Sequence, residues 1–229
     1  MDNKIESLLS PHDGERSLNL TNLEVLYLGN NFFNNSLLAQ LSGLSNLKSL
    51  YMYNNQLKGS INIKVLNNLT RLKMLNLREN KIESLQSPHD GERPLNLTNL
   101  EELNLDYNSF TNSLLAQLSG FSNLKSLTIG NNQLKGSINI KELLDSLSNL
   151  DELDISGSDV KEFVPIKNKE NGSLGKLKIA TLDNVFTGGT TSLIQLLETF
   201  SSVKTLYLRH NHFNNTFSTQ GIICMYVNI

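Results

Sequence analysis

A nine-residue pattern of leucines and an asparagine, L-x-x-L-x-L-x-x-N, recurs eight times along this chain of 229 residues. The copies begin 24 to 28 residues apart, at Leu23, Leu47, Leu72, Leu100, Leu124, Leu150, Leu177 and Val203. A period of this length is typical of proteins that stack one small structural unit many times. Because each unit contacts only its neighbours, we expect a one-dimensional stack rather than one compact core.

Within each copy the central leucines alternate with variable residues, which is the period of a strand with one buried face. Leu26 and Leu28, or Leu103 and Leu105, are predicted to point inward. No single copy can bury this apolar row, so neighbouring strands are expected to pair into a parallel sheet. The amide at the ninth position can satisfy backbone groups where the chain leaves the strand. A ladder of such amides is predicted at Asn31, Asn55, Asn80, Asn108, Asn132 and Asn211.

This period and pattern are those of leucine-rich repeats, so we predict an α/β repeat fold of about eight units. The expected shape is a curved horseshoe with a parallel β-sheet on its concave face and short helical or irregular convex segments. We assign residues 1–221 to the solenoid and residues 222–229 to a non-repeat C-terminal tail. The sixth copy has Ser158 at the ladder position and the seventh has Val185. We therefore expect an irregular turn around Gly172 to Gly189.

A three-repeat block is duplicated within the chain. Residues 4–64 align without gaps with residues 81–141 at an offset of 77, with 49 identities in 61 pairs. The leucines at positions 23, 26, 28, 47 and 50 are retained, whereas five of the six predicted outward strand positions differ. These differences are Val25/Glu102, Tyr27/Asn104, Gly29/Asp106, Tyr51/Thr128 and Tyr53/Gly130. The pattern indicates a fixed scaffold with a variable exposed face.

Composition narrows the classes of partner. The formal net charge is −2 and no Lys/Arg run stands out, so nucleic acid is not expected as a partner. No apolar stretch is long enough to cross a membrane, and no signal segment opens the sequence. Since the first residues already match the end of a repeat and capping units are missing, we interpret the chain as an internal fragment of a longer protein. Cys224, in the tail, is the only cysteine and gives no disulfide framework.

Two copies extend the pattern to L-x-x-L-x-L-x-x-N-x-L-x-G-x-I, over residues 47–61 and 124–138. Together with the phrases L-T-N-L-E, L-S-N-L-K-S-L and N-N-Q-L-K-G-S-I, this extension resembles the repeats of plant leucine-rich-repeat receptor-like proteins. The proline that this family places after G-x-I is replaced by Asn62 and Asn139.

The resemblance implies a non-catalytic ectodomain at the extracellular face of the plasma membrane, in defence or development. It also implies a peptide or protein ligand and signalling through a co-receptor or adaptor kinase, with membrane attachment by segments absent from this chain. Three alternatives stay open: the ectodomain of a receptor kinase, a soluble structural or inhibitor protein, and a truncated solenoid without function. Six N-x-S/T sequons agree with secretion and are the candidate glycosylation sites Asn19, Asn34, Asn68, Asn96, Asn171 and Asn214.

Outward strand positions are predicted to form three columns on the concave face. Tyr27, Tyr51 and Tyr53 would cluster with Arg78, and tyrosine and arginine are enriched in binding hot spots. The alternative is that β-propensity alone places tyrosine there. Glu102, Asp106, Glu152, Asp154 and Asp183 would form an acidic stretch for a basic segment of a ligand. The candidate ligand-binding residues are Tyr27, Tyr51, Tyr53, Arg78, Glu102, Asp106, Asp154, Tyr207 and Arg209.

Metal and catalytic chemistry are not expected. His12, Asp13 and Glu15, repeated at residues 89–92, sit in ordinary turn sequence, and His210 and His212 lack further ligands at metal-binding spacing. No nucleophile elbow, phosphate-binding loop, H-E-x-x-H or kinase motif is present. We therefore predict a protein that is not an enzyme and needs no cofactor.

Overall fold

The computed structural model describes residues 5–6, 8, 20–85, 97–164, 175–188 and 193–213. Eight short parallel strands, one per repeat, form a single sheet and stand in the order of the repeats along the chain. With strands numbered in chain order, they are β1 (Val25–Tyr27), β2 (Ser49–Tyr51), β4 (Met74–Asn76), β6 (Glu102–Asn104), β7 (Ser126–Thr128), β9 (Glu152–Asp154), β11 (Ile179–Thr181) and β12 (Thr205–Tyr207). The predicted leucine-rich-repeat solenoid with a parallel sheet is confirmed.

The core is a continuous row of leucines from successive repeats. Leu50, Leu75 and Leu103 pair with one another across β2, β4 and β6, and each is buried. Phe33 and Phe110, at equivalent positions of the duplicated blocks, are fully buried. Each such side chain contributes roughly 1.5–3 kcal/mol when it leaves water, and only stacking makes that burial possible.

The asparagine ladder is confirmed and can be followed atom by atom at Asn80. Its Nδ2 donates to the carbonyl oxygens of Met52 and Leu77, at 3.0 and 2.9 Å. Its Oδ1 accepts from the backbone N–H groups of Asn55 and Leu57, both at 3.2 Å. One buried amide thus links two repeats where the chain turns out of the sheet. In the sixth repeat the Ser158 hydroxyl donates only to Ile155 O, at 2.5 Å.

The turn after each strand is regular in every repeat. The residue before the ladder position has a positive φ throughout: Asn30, Asn54, Glu79, Tyr107, Asn131, Gly157, Asn184 and His210. The seventh repeat follows this rule, and its strand β11 pairs in register with both neighbours. The N–H groups of Val185 and Phe186 both donate to Asn211 Oδ1. Over residues 175–188 the irregularity predicted for this region is therefore absent, and residues 172–174 and 189 lie outside the described residues.

Two small parallel sheets follow the ladder turns, where the sequence predicted helical or irregular chain. One pairs β3 (Lys58–Ile61) with β5 (Lys81–Leu85), and the other pairs β8 (Lys135–Ile138) with β10 (Asp159–Phe163). The Asn35 amide anchors β3, because it donates to Lys58 O at 2.9 Å and accepts from Lys58 N at 3.0 Å. Asn112 makes the same two bonds to Lys135. A side-chain amide thus makes the two hydrogen bonds that the backbone of a neighbouring strand would otherwise make.

Short helices lie between the ladder turns and the strands of the next repeats, and two of them directly follow β3 and β8. The α-helices are α1 (Ser36–Gln40), α2 (Leu114–Gln117), α3 (Ile140–Ser146) and α4 (Leu193–Thr199), and three 3-10 helices span Leu41–Gly43, Ile63–Leu66 and Leu118–Gly120. The Asn139 side chain caps α3 by accepting from Glu142 N. In the described part of the chain no helix has the length and apolarity needed to cross a membrane.

Candidate ligand-binding face

Strand pairing aligns the outward residues in the columns that the sequence predicts. Val25 pairs with Ser49, which pairs with Met74, and Tyr27 pairs with Tyr51. The second column continues through Asn76, Asn104, Thr128, Asp154 and Thr181 to Tyr207. The predicted site residues therefore lie along one face of the sheet, in the first four repeats, the sixth and the eighth.

Tyrosines form an aromatic surface on the first two strands. The rings of Tyr27 and Tyr51 are stacked, with centroids 4.5 Å apart and planes at 10°. Tyr27 is 68% exposed. Burial, and then the neighbouring Tyr27, raise the pKa of Tyr51. The Tyr53 hydroxyl accepts from Asn30 Nδ2 at 3.3 Å. This end of the face offers flat aromatic rings held in place.

Arg78 contacts an aromatic ring that the sequence prediction did not include. Its guanidinium lies 4.9 Å from the centroid of the Tyr107 ring and pairs with Glu79 Oε1 at 2.8 Å. Tyr107 was missed by the sequence prediction because it sits at the turn, one residue before the ladder asparagine. A signal was present, since the equivalent residue of the other copy is Asn30. Arg78, in the third repeat, therefore contacts the turn of the fourth repeat.

The two duplicated blocks exchange a small and a large residue across neighbouring strands. In the first block the Tyr53 ring lies over Gly29, where an added Cβ would come within 2.4 Å of the ring. In the second block Asp106 replaces that glycine and Gly130 replaces that tyrosine. Asp106 Oδ1 accepts from Gly130 N at 2.7 Å. The same scaffold thus carries an aromatic ring in one copy and a carboxylate in the other.

Carboxylates gather on the fourth to sixth repeats. Burial raises the pKa of Asp106, an effect that the hydrogen bond from Gly130 N partly offsets. Asp154 Oδ1 accepts from Ser156 N at 2.8 Å, and Ser126 Oγ lies 3.5 Å from a Glu152 oxygen. None of Glu102, Asp106, Glu152 and Asp154 forms an ion pair with a Lys or Arg of the described residues. We call these four residues the acidic stretch.

Asp183, which the sequence grouped with these acids, is neutralised by Arg209. The Arg209 guanidinium contacts Asp183 Oδ2 at 2.6 Å and lies 5.7 Å from the Tyr207 ring centroid. Hydrogen bonding to Asp183 raises the pKa of Arg209. The last two repeats therefore present a closed charge pair beside a tyrosine.

A second charged row, at the start of the strands, is paired from the first repeat to the seventh. Glu101 accepts from Lys73 at 2.8 Å and from Lys125 at 2.6 Å. Hydrogen bonds from Lys125 and Lys73 lower the pKa of Glu101 to about 2. Ion pairs also join Lys48 to Glu24 and Lys178 to Asp151. These seven residues, which we call the lateral row, were not among the predicted site residues, and their contacts hold neighbouring repeats together.

Sequence models of the leucine-rich-repeat family match residues 45–91 ("Leucine Rich repeats (2 copies)") and 99–121 ("Leucine Rich Repeat"). Receptor like protein 23 of Arabidopsis thaliana is 34% identical over 116 residues, which are 51% of this chain and 13% of that protein. The chain is a leucine-rich-repeat protein related to plant receptor-like proteins. The resemblance inferred from the repeat sequence is thereby confirmed, although the chain spans only about an eighth of that relative.

Solved structures show the same leucine-rich-repeat fold. The ectodomain of the receptor kinase GASSHO1/SCHENGEN3 from Arabidopsis thaliana, solved in complex with CASPARIAN STRIP INTEGRITY FACTOR 2, superposes with a TM-score of 0.52 at 22% identity. The match covers 84% of this chain and 24% of that one. A plant ice-binding protein gives a TM-score of 0.56 at 22% identity, over 84% of this chain and 58% of that one. At these identities the likeness concerns the fold alone.

The remaining candidates divide between described and undescribed residues. Asn34 and Asn68 lie in exposed positions of this leucine-rich-repeat solenoid, whereas Asn19, Asn96, Asn171 and Asn214 lie outside the described residues. The same is true of residues 12–15, residues 89–92 and Cys224. His210 and His212 are exposed. In the described part of the chain no three His, Cys, Asp or Glu side chains are grouped to hold a metal ion.

Proposed function

We propose that this chain is the ligand-recognition part of a plant receptor-like protein and binds a peptide or protein segment on its concave face. The Tyr27–Tyr51 stack carries the proposal, because two large rings are held rigidly on the outer side of a sheet whose other side is core. Rigid aromatic side chains supply contact area at a small entropic cost, as in binding hot spots. Tyr51, Tyr53, Arg78, Glu102, Asp106 and Asp154 line the same face, with Tyr207 and Arg209 at its far end.

The pattern of the duplication supports recognition rather than a purely structural role. The two copies keep Asn31/Asn108 at the ladder and Phe33/Phe110 in the core. They differ at five outward strand positions in three neighbouring columns. Divergence on the exposed face of an unchanged scaffold is typical of recognition surfaces built from repeats.

Similarity to receptor-like proteins supports a location at the extracellular face of the plasma membrane, and signalling through a co-receptor or adaptor kinase belongs to the same proposal. The proposed protein is non-catalytic and serves in defence or development. Glycosylation at Asn34 and Asn68 is part of the proposal, because both side chains are exposed. Asn34→Thr, the residue of the second copy, should remove one glycan and leave the fold unchanged. Gel mobility after expression in a secretory host measures this.

A selection from a library of random dodecapeptides tests recognition by the purified chain. The critical variant is Tyr27→Asn with Tyr51→Thr, since both replacements occur at the equivalent positions of the second copy. We expect selected peptides to bind the unchanged chain and to lose at least tenfold in affinity on this variant. The matched control is Glu198→Gln, an exposed change on helix α4 away from the sheet. The proposal fails if nothing is enriched, or if binding ignores every substitution on the concave face.

A further inference from the structure

We propose that the occupant of the concave face is an extended peptide segment with two chemically distinct parts. An aromatic or apolar residue would contact the tyrosine stack, and Lys or Arg side chains would contact the acidic stretch. This inference rests on the proposed function and specifies its ligand. The sheet face supplies the two subsites, and their distance apart sets the spacing within the ligand.

The acidic stretch is unpaired although lysines are abundant on the neighbouring side of the same strands. In the lateral row Glu101 is held by two lysines and Asp151 by Lys178. One residue further along the same strands, Glu102 and Glu152 form no ion pair with a Lys or Arg of the described residues, although Lys125 is near enough to Glu102 to interact with it electrostatically. Since the chain as a whole is nearly neutral, this negative potential is local to the concave face. A cationic segment is the charge complement of that surface.

The end of the concave face that carries the tyrosine stack is apolar rather than charged. Val25 is 43% exposed and Tyr27 68%, and Met74 follows in the same column as Val25. No carboxylate lies among the outward residues of β1 and β2, which are Val25, Tyr27, Ser49 and Tyr51. Exposed apolar surface of this kind on a sheet favours a ligand side chain that is itself aromatic or apolar.

Arg78 lies between the two subsites and has an unused donor. Its Nη2 is engaged by Glu79, but Nε is buried and has no hydrogen-bond partner in the described part of the chain. A buried donor without an acceptor costs about 1–3 kcal/mol, so such groups call for an explanation. A ligand cannot reach this shielded atom directly. The Arg78 side chain is 43% exposed, and its exposed part is what would donate to a carbonyl oxygen of a peptide backbone crossing the face at this point. Arg78 would then position the segment between its two ends.

Strand spacing sets the separation within the ligand. Glu102 is two strands and Asp154 four strands from Tyr51 in the sheet order. At about 4.8 Å per strand, these separations are roughly 10 and 19 Å. An extended chain advances about 3.3 Å per residue, so the cationic residues should follow the aromatic one by roughly three to six positions.

Selection from the random dodecapeptide library, followed by fluorescence anisotropy of labelled winners, tests this inference. The acid-neutralised variant is Glu102→Val, Glu152→Gln and Asp154→Asn. Its matched control removes an equal number of negative charges from the lateral row, through Glu24→Gln, Glu101→Gln and Asp151→Asn. We expect winners to pair an aromatic or apolar residue with Lys or Arg at the stated spacing. Their affinity should fall about tenfold or more on the acid-neutralised variant and with added salt, and little on the control.

Three outcomes would overturn the inference, and they differ in what they imply for the proposed function. Selected peptides that lack Lys and Arg, but whose binding still requires Tyr27 and Tyr51, would overturn the two-part ligand. They would leave the proposal of ligand binding on the concave face intact. Equal losses of peptide affinity on the acid-neutralised variant and on the lateral control would show that net charge causes the effect. That result would also overturn the inference. If no peptide is enriched, or if the selected peptides bind equally well to every variant of the concave face, both the inference and the proposed function are overturned.

Discussion

At the scale of single residues, the fold of this protein depends on side chains that form hydrogen bonds with backbone groups that would otherwise lack partners. The ladder asparagines satisfy backbone groups from two repeats at once, and Asn80 does so with an amide that is almost fully buried. Asn35 and Asn112 use the same amide chemistry to begin the small sheets. Asparagine is required at these points because it carries both a donor and an acceptor on a short side chain.

Replacing Asn80 by alanine is expected to destabilise the chain by about 2–4 kcal/mol, because buried carbonyl and N–H groups would be left without partners. Asn123→Ala is the matched control, since this exposed amide makes one bond, to Thr98 O at 2.6 Å. Its cost should be about 1 kcal/mol or less. The midpoint of urea unfolding measures both. Equal midpoints for the two variants would refute the ladder's energetic role.

A double-mutant cycle tests the exchange between Gly29 and Tyr53. Gly29→Asp alone should displace the half-exposed Tyr53 ring and lower stability by about 1 kcal/mol or less, because the clash is with the end of a side chain that can move into solvent. Adding Tyr53→Gly recreates the Asp106–Gly130 arrangement of the second block and should recover much of that loss. The coupling energy follows from the urea midpoints of both single variants and the double variant. Additive effects would show that the two positions are independent.

At the scale of elements, the strands owe their register to the leucine spacing and their association to the buried core and the backbone pairing, and the lateral row adds ion pairs between neighbouring repeats. Glu101 bridges lysines of the third and fifth repeats, so one carboxylate spans three strands. The small sheets add a second line of backbone pairing on the far side of the ladder turns. Each element is only three to seven residues long and gains its stability from its neighbours.

The Glu101 bridge should make stability depend on pH with a definite sign. Because its pKa falls from 4.5 to about 2 in the folded chain, its contribution is complete above about pH 4.5 and is lost as the pH falls through about 2. Glu101→Gln should therefore be less stable than the unchanged chain at neutral pH. The difference should vanish toward pH 2 and shrink in high salt.

Urea midpoints across this pH range, at low and high salt, measure the effect. Asp145→Asn is the control, since Asp145 makes one exposed pair with Lys141 on helix α3. Exposed pairs of this kind contribute little. A pH-independent deficit for Glu101→Gln would mean that packing, not charge, is what the substitution removes.

At the scale of the whole molecule, the solenoid is a sum of similar units, and the duplication supplies a way to remove some of them. Residues 20–85 contribute three strands to the eight-stranded sheet and residues 97–164 three more, and β11 and β12 complete it. Since each repeat contacts only its neighbours, whole units can be removed without disturbing distant ones.

Deletion of residues 47–123 removes 77 residues and joins Asn46 to Leu124 within an identical sequence context. We expect the shortened chain to fold with a similar far-ultraviolet circular dichroism spectrum and a lower urea midpoint, because fewer interfaces remain. Deletion of residues 47–110 breaks the period and is the control that should not unfold cooperatively. Similar behaviour of both deletions would argue against a register-dependent stack.

The main sheet and the columns of outward residues could be predicted because the sequence pattern that specifies them is short and recurs in each repeat. The spacing of Leu23, Leu47 and Leu72 fixes where each strand lies, and the period of two fixes which residues point outward. The strands Lys58–Ile61 and Lys135–Ile138 were missed, because K-G-S-I shows no apolar alternation and depends on distant asparagines for its start. The Arg78–Tyr107 contact was missed for a related reason, since it joins a strand end to the turn of the next repeat.

The repeat fold, the order of the strands, the ladder and the residues of the concave face could all be read from the sequence. Each follows from a pattern that recurs along the chain, with the ladder asparagine present in six of the eight units. Which charges are paired could be learned only from the folded structure. Glu101 and Glu102 are adjacent in sequence, yet one is held by two lysines and the other forms no ion pair with a Lys or Arg of the described residues. That difference depends on which side of a strand faces the neighbouring repeat, and the stacking of repeats sets it.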